Sequence, residues 1–243
     1  MALGPDSRYN LNGAPARSGA EAVSYDVGLR QYMLQVYNYM ASGLALTGIV
    51  AYFVGNSPAM MQVIFGTPLQ WVVMLAPLAF ILVLSFGIHK LSARAAQAVF
   101  WVYAAVMGLS IASIFMVFTG ASVARVFFIT AGAFAGLSLY GYTTKRDLAP
   151  FGTFLLIGLF GIIIASIVNI FVASSALQFV ISVVGVLVFA GLTAYDTQAI
   201  KDMYNDMDDR EIYGKKAIMG ALTLYLDFVN MFMLLMQLFG DRK

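Results

Sequence analysis

The sequence predicts an all-α, polytopic membrane protein with seven transmembrane helices. Of its 243 residues, 61% are apolar and only 11% are charged, whereas soluble domains carry about 25% charged residues. The mean hydropathy is +0.84. A membrane-spanning helix needs about 20 apolar residues, so a chain of this length has room for about seven such helices and little else.

Seven apolar stretches divide the chain, and polar or turn-forming links separate them. They cover residues 31–54, 69–88, 97–118, 122–142, 151–172, 177–200 and 217–239. Each is long enough to cross a bilayer as a helix, a conformation that satisfies its own backbone hydrogen bonds in lipid. The first 30 residues are polar and contain several glycines and prolines. We therefore expect a flexible cytoplasmic tail at 1–30 and one seven-helix membrane domain at 31–243.

The distribution of lysine and arginine predicts the orientation. The tail and the links after the second, fourth and sixth stretches hold 11 of the 14 basic residues. Cytoplasmic loops carry such an excess, so these segments and the amino terminus are expected in the cytoplasm. Arg242 and Lys243 break the pattern. The last helix is therefore either re-entrant or crosses completely and exports these two charges.

Composition excludes several classes of function. The chain has no cysteine and a single histidine, His89, which excludes disulfides, thiolate metal sites, cysteine nucleophiles and zinc sites built on several histidines. The net charge of +2 and the absence of a basic run give no basis for nucleic-acid binding. Neither a dinucleotide-binding nor a P-loop signature is present. We expect neither an enzyme nor a bound cofactor.

Three charged residues lie within the seven apolar stretches: Arg125, Asp196 and Asp227. Arg125, near the edge of its stretch, can extend its charge to the membrane surface. An aspartate at a helix centre costs about 2.5–3.5 kcal/mol on insertion scales, and such residues are candidates for function. The alternative is a purely structural, protonated aspartate that donates a hydrogen bond to a neighbouring helix.

The two aspartates are placed symmetrically about a turn. The midpoint between Asp196 and Asp227 falls within the polar link 207–214. If the last two helices form an antiparallel hairpin, both carboxyl groups lie at one depth. Neighbouring carboxylates cannot both ionise at low cost, so they would share a proton and titrate as a coupled pair. The pair is therefore a candidate pH sensor and, since oxygen ligands suit calcium, part of a possible Ca²⁺ site.

Three polar residues lie next to this pair in the sequence. Asn230 is three residues after Asp227, and Thr193 and Thr197 flank Asp196. They either hydrogen-bond the carboxyl groups or are ordinary polar residues at helix contacts.

Two other classes of membrane protein fit the residues poorly. A retinal protein needs a lysine in its last helix, and residues 217–239 contain none. An intramembrane aspartyl protease also places one aspartate in each of two helices, and Tyr195-Asp196 resembles its first motif. However, Leu224-Tyr-Leu-Asp227 lacks the glycines of the second motif, and the Pro-Ala-Leu element is missing.

Three segments resemble the Bax inhibitor-1 (TMBIM) family, and in particular its bacterial members. They are Phe189-Ala-Gly-Leu-Thr-Ala-Tyr-Asp-Thr-Gln-Ala-Ile-Lys201, Gly220-Ala-Leu-Thr-Leu-Tyr-Leu-Asp-Phe-Val-Asn-Met-Phe232 and Ser138-Leu-Tyr-Gly-Tyr-Thr-Thr-Lys-Arg-Asp-Leu148. The resemblance extends over residues 25–243. It implies a central C-terminal helix and a di-aspartyl pH sensor, which maps onto Asp196 and Asp227. It also implies a pH-sensitive calcium leak in a bacterial inner membrane, and cell-death suppression in eukaryotic relatives.

The sequence departs from the family in its second apolar stretch. Some relatives have an acidic residue there and an arginine near its cytoplasmic end that pairs with the sensor. Here the stretch contains Pro77 and no charge, so His89 and Lys90 are the nearest candidates for a latch. The leading hypothesis is a pH-gated cation leak in the lipid bilayer, with Ca²⁺ as the transported ion. The alternative is a non-transporting regulator that binds a membrane protease or another membrane protein, with 1–30 as its interaction segment.

Overall fold

The computed structural model describes residues 19–243, with side chains from residue 25 onward, as a bundle of α-helices. Seven segments are long and apolar enough to span a membrane, which confirms the predicted all-α, polytopic architecture. The helices of this part of the chain are α1 (Gly19–Gly55), α2 (Pro58–Phe65), α3 (Leu69–Gly87), α4 (Ala93–Ile111), α5 (Ile114–Val117), α6 (Gly120–Thr143), α7 (Ala149–Val172), α8 (Ser175–Asp202) and α9 (Arg210–Phe239). The short α5 continues the span of α4, and the short α2 lies in the link between α1 and α3.

Polar side chains fix where several of the helices begin. In each case a hydroxyl or carboxylate oxygen accepts a hydrogen bond from the backbone N–H three residues further on, which satisfies a donor that the helix itself leaves free. The capping residues are Ser57 of α2, Ser92 of α4, Thr119 of α6, Ser174 of α8 and Asp209 of α9. The links therefore carry the signals that separate one span from the next.

The first helix begins earlier than the sequence predicted. Residues 19–30, assigned above to the tail, belong to α1, while residues 1–18 lie outside the described residues. Aromatic packing accounts for the longer helix, because the rings of Tyr25 and Tyr32 lie 5.1 and 5.7 Å from the ring of Tyr204. The start of α1 is thereby held against the link between α8 and α9.

The last helix is the centre of the bundle, as the family resemblance implied. It packs against α1, α4, α6 and α8, whereas α3 packs on α4 and α7 packs on α8 at the periphery. In the most apolar 18-residue segment of α9, 67% of the residues are buried, whereas in that of α7 only 6% are buried. The exposed apolar side chains of α7, such as Phe160 and Ile164, face outward to where lipid would lie.

Contacts at both ends of α9 show that it runs the full height of the bundle. Near its start, Glu211 accepts a 2.8 Å hydrogen bond from the backbone of Ala93, at the α3–α4 link. Beyond its end, the backbone of Asp241 accepts a 3.0 Å hydrogen bond from Thr119, at the α5–α6 link. These two links lie at opposite ends of the bundle, so α9 crosses it completely. Arg125 is exposed, as expected, and forms a 2.8 Å ion pair with Asp241.

Close packing of α6 and α8 fixes the position of α8. Gly141 of α6 lies so near the backbone of Ala194 that a methyl group at 141 would overlap the Ala194 carbonyl oxygen. A chain of hydroxyl groups runs beside this contact, from Tyr37 to Ser138 at 2.7 Å and on to Thr197 at 2.9 Å. Small residues that let helix backbones approach, together with hydroxyl hydrogen bonds, are typical of helix contacts in membranes.

We predict that Gly141→Ala destabilises the bundle. The added methyl group must push α6 away from the α8 backbone, a strain that typically costs about 1–3 kcal/mol. Thermal unfolding of the purified protein in detergent measures the loss.

Gly136→Ala is the matched control, because a methyl group at 136, on the same helix, would meet no atom within 4 Å. We expect this variant to unfold at or above the wild-type temperature, since alanine favours a helix over glycine. Equal unfolding temperatures for the two variants would contradict the close contact between α6 and α8.

Candidate functional site

A cavity of about 630 Å³ lies between α7, α8 and α9, and we call it the aspartate cavity. Both buried aspartates line it, in otherwise mostly apolar surroundings. It is present because α7 packs on α8 without packing closely on α9. The lining residues are Leu156, Leu159, Ile162, Ile163, Ser166, Ile167 and Ile170 of α7, Phe189, Leu192, Tyr195 and Asp196 of α8, and Thr223, Leu226, Asp227, Asn230, Met233 and Leu234 of α9.

The two aspartates lie together, as the hairpin predicted. Asp227 is only 4% exposed, while Asp196 is half-buried at the cavity wall. Their carboxyl groups are within hydrogen-bonding reach of each other. The Oδ2 atom of Asp227 is fully buried and finds no N–H or O–H donor among the described residues, unless Asp196 carries a proton. The arrangement thus has a place for one shared proton between α8 and α9.

Among the described residues, no lysine, arginine or histidine lines the aspartate cavity. A buried carboxylate without a basic partner is costly, so a proton shared by the pair, or a cation from solution, would lower the cost of burying the two groups. Within residues 19–243, no group of three or more histidine, cysteine, aspartate and glutamate residues could hold a metal ion. Asp196 and Asp227 therefore form only part of a Ca²⁺ site, which would need further oxygen ligands.

Asn230 and Thr223 extend the polar side of the cavity along α9. Asn230 lines it as predicted, with its side-chain amide donating a 2.8 Å hydrogen bond to the carbonyl of Leu226. Thr223, which sequence reasoning missed, lines it four residues before Asp227 and donates to the carbonyl of Met219 at 3.1 Å. Positions 223, 227 and 230 share one helix face. That spacing of polar residues in an apolar helix was the available signal.

Thr193 and Thr197 are buried but do not serve the aspartates. Their hydroxyl groups donate to the carbonyls of Phe189 and Thr193, at 2.8 and 2.7 Å, and Thr197 also contacts Ser138 of α6. Neither threonine lines the aspartate cavity. The expected hydrogen bonds to the carboxyl groups are therefore not formed within the described residues. Thr197 instead faces α6, on a different side of α8 from Asp196.

The structure does not form the latch predicted at His89 and Lys90. Both residues are exposed in the link between α3 and α4, and neither lines the aspartate cavity. The reason is the position of α3, which packs on α4, away from the α7 and α8 walls of the cavity. The two residues lie beside the membrane-spanning helices without a side-chain partner among the described residues.

Comparison with known protein families identifies the family to which this chain belongs. The family model described as "Inhibitor of apoptosis-promoting Bax1" matches residues 29–243, a range that contains all of the aspartate cavity. The chain belongs to the Bax inhibitor-1 family. The resemblance seen in the two aspartate segments is thus confirmed over nearly the whole membrane domain.

Bacterial members of the Bax inhibitor-1 family are similar over most of their length. The chain is 48% identical to inner membrane protein YbhL of Escherichia coli K12, over 89% of this chain and 94% of the relative. It is 45% identical to a protein of Caulobacter vibrioides, over 91% and 92%. It is 30% identical to a membrane protein of Streptococcus pyogenes serotype M3, over 88% and 94%.

We predict that the aspartate pair reacts with dicyclohexylcarbodiimide, an apolar reagent that modifies protonated carboxyl groups in membranes. The cavity is open to apolar molecules, and one shared proton leaves one of the two carboxyl groups protonated and able to react. Peptide mass spectrometry should find the adduct on Asp196 or Asp227 and find less of it as the pH rises, because the ionised form does not react.

Asp202, exposed at the end of α8, is the internal control and should remain unmodified because it lies outside the apolar cavity. A reaction at Asp202 with none at the pair would contradict a shared proton in the cavity.

Proposed function

We propose that this protein is a passive, pH-sensitive leak for cations, with Ca²⁺ as the transported ion, and that Asp196 and Asp227 form its sensor. The observation that carries the proposal is a pair of neighbouring carboxyl groups in a cavity of the helix bundle where no described lining residue is basic. Ionisable groups inside a membrane bundle commonly mark ion pathways and proton relays. Membership of the Bax inhibitor-1 family supports the same function.

The geometry suggests how a proton would control the pathway. When the two carboxyl groups share one proton, the hydrogen bond between them joins α8 to α9 and the pair carries one negative charge. Loss of that proton leaves two carboxylates in mutual repulsion, which favours separation of the helices and attracts a cation. The oxygens of Asn230 and Thr223 line the same cavity and would add ligands of the kind that calcium prefers. Protonation therefore favours the closed state and deprotonation the conducting state.

The inner membrane of a bacterium is the proposed location. YbhL is called an inner membrane protein. This chain belongs to the same family and has seven segments long and apolar enough to span a membrane. The excess of lysine and arginine at one end of the bundle favours a cytoplasmic amino terminus and a cytoplasmic α8–α9 link.

We predict that Asp196→Asn or Asp227→Asn each removes most of the pH dependence of Ca²⁺ flux into proteoliposomes. Either change deletes one titrating group while nearly keeping its shape. The double variant should add little, because a coupled pair is already broken by the loss of one member. Flux should be measured from about pH 5 to pH 8, the range in which buried carboxyl groups often titrate.

Asp202→Asn is the control for this series. It makes the same chemical change on the same helix, at an exposed position outside the cavity, and should keep the wild-type pH profile. Single variants that also keep that profile would refute the aspartate sensor. A complete absence of flux for the wild-type protein at every pH would favour the non-transporting regulator.

The orientation makes a separate prediction. The natural chain has no cysteine, so single cysteines report accessibility without background. Asn205→Cys, in the exposed α8–α9 link, should resist an impermeant thiol reagent in intact cells. Asn56→Cys, at the exposed α1–α2 link, should react. Both should react once the membrane is permeabilised, and labelling of position 205 in intact cells would reverse the orientation.

A further inference from the structure

A second concave surface lies on the outside of the bundle, between α1 and α6. Both helices pack on α9 but make little contact with each other, so a groove of about 570 Å³ remains open to the surroundings. We call it the α1–α6 groove. Its walls include Leu34 and Met40 of α1 and Leu139 of α6, and the Tyr37–Ser138 hydrogen bond crosses it.

One end of the α1–α6 groove is positively charged. Arg30 lines this end, is exposed, and forms no ion pair or hydrogen bond with the described residues. Tyr142 lines the same end from α6, and Lys201 of α8, which does not itself line the groove, lies beside Tyr142 and donates to its carbonyl at 3.1 Å. None of the described residues that line the groove is an aspartate or glutamate. Asp26, one turn before Arg30, lies further out along α1.

The charged end and the apolar walls match the layers of one membrane leaflet. Arg30 lies near the start of the first span and Tyr142 near the end of the span of α6, so both lie near the membrane surface. From Arg30 to Ala41 the helix rises about 16 Å, close to half of a hydrocarbon core about 30 Å thick. The groove thus runs from the headgroup layer to the middle of the bilayer.

We propose that the α1–α6 groove is a binding site for an anionic phospholipid. The phospholipid belongs to the membrane leaflet on the same side as the α8–α9 link. The phosphate lies at Arg30, with Lys201 beside it, and one acyl chain fills the apolar walls. Juxtamembrane lysine and arginine residues attract anionic lipids in this way. A zwitterionic lipid would leave the cationic end only partly neutralised.

Charge also argues against a second copy of this chain in the groove. In a two-fold dimer the same surface meets itself, which would bring two Arg30 side chains together with no acidic partner among the described residues. An anionic phospholipid instead supplies the missing negative charge and the apolar chain together. The proposal does not depend on calcium transport.

Native mass spectrometry of the detergent-purified protein tests the proposal, with dioleoyl-phosphatidylglycerol and dioleoyl-phosphatidylcholine as probes. The wild-type protein should bind phosphatidylglycerol more tightly. Arg30→Gln should weaken phosphatidylglycerol binding about fivefold, the equivalent of about 1 kcal/mol for one basic residue, and leave phosphatidylcholine binding unchanged. Arg94→Gln, an equal change at an exposed position outside the groove, is the control and should retain the preference.

A second pair of variants tests the apolar walls. Ala135→Phe places a ring in the groove and should displace both lipids, whereas Ala133→Phe, two residues away on the same helix and outside the groove, should displace neither. The proposal fails if the wild-type protein has no preference for phosphatidylglycerol, if Arg94→Gln matches Arg30→Gln, or if Ala135→Phe binds lipid normally. A dimer that Ala135→Phe dissociates would assign the groove to a second copy instead.

Discussion

The carboxyl group of Asp227 is buried in α9, the central helix of the bundle. Because burying a charged group costs free energy, this carboxyl group constrains which groups can be packed around it. Only 4% of the residue is exposed, and one of its oxygens has no donor among the described residues. An isolated charge in such a position is too costly to keep. The α8–α9 hairpin places Asp196 at the same depth, so a proton shared by the two carboxyl groups removes one of the two negative charges, and a captured cation is the alternative.

The packing around α9 is uneven, and this unevenness leaves room for function. On one side α8 is fixed to α6 by the close approach at Gly141 and by the hydroxyl chain through Ser138. On the other side α7 packs closely on α8 but not on α9, so the aspartate cavity stays open beside a firmly held helix. The structure thus places a firmly held α8 next to a loosely covered cavity.

Hydropathy and turn chemistry were sufficient to predict the seven spans, because a bilayer accepts only segments that satisfy their own backbone hydrogen bonds. The pairing of Asp196 with Asp227 was also predictable, since a helical hairpin fixes depth by counting residues from its turn. The sequence was less informative about the rotation of each helix. In water an apolar stripe marks the buried face, but lipid is as apolar as the core, so that stripe is absent here. For this reason the sequence left two alternatives for Thr193 and Thr197, hydrogen bonds to the carboxyl groups or ordinary helix contacts, and in the structure Thr197 contacts α6.

The sequence by itself determined the fold class, the spans and the depth of the two carboxyl groups, all of which depend on local hydropathy and on distance along the chain. Only the tertiary structure decided which helices are neighbours. It placed His89 and Lys90 away from the cavity because α3 packs on α4, and it left the α1–α6 groove open with Arg30 at one end. Helix order around a central α9 arises from contacts between residues far apart in sequence, such as Gly141 with Ala194. No local pattern in the chain encodes such contacts.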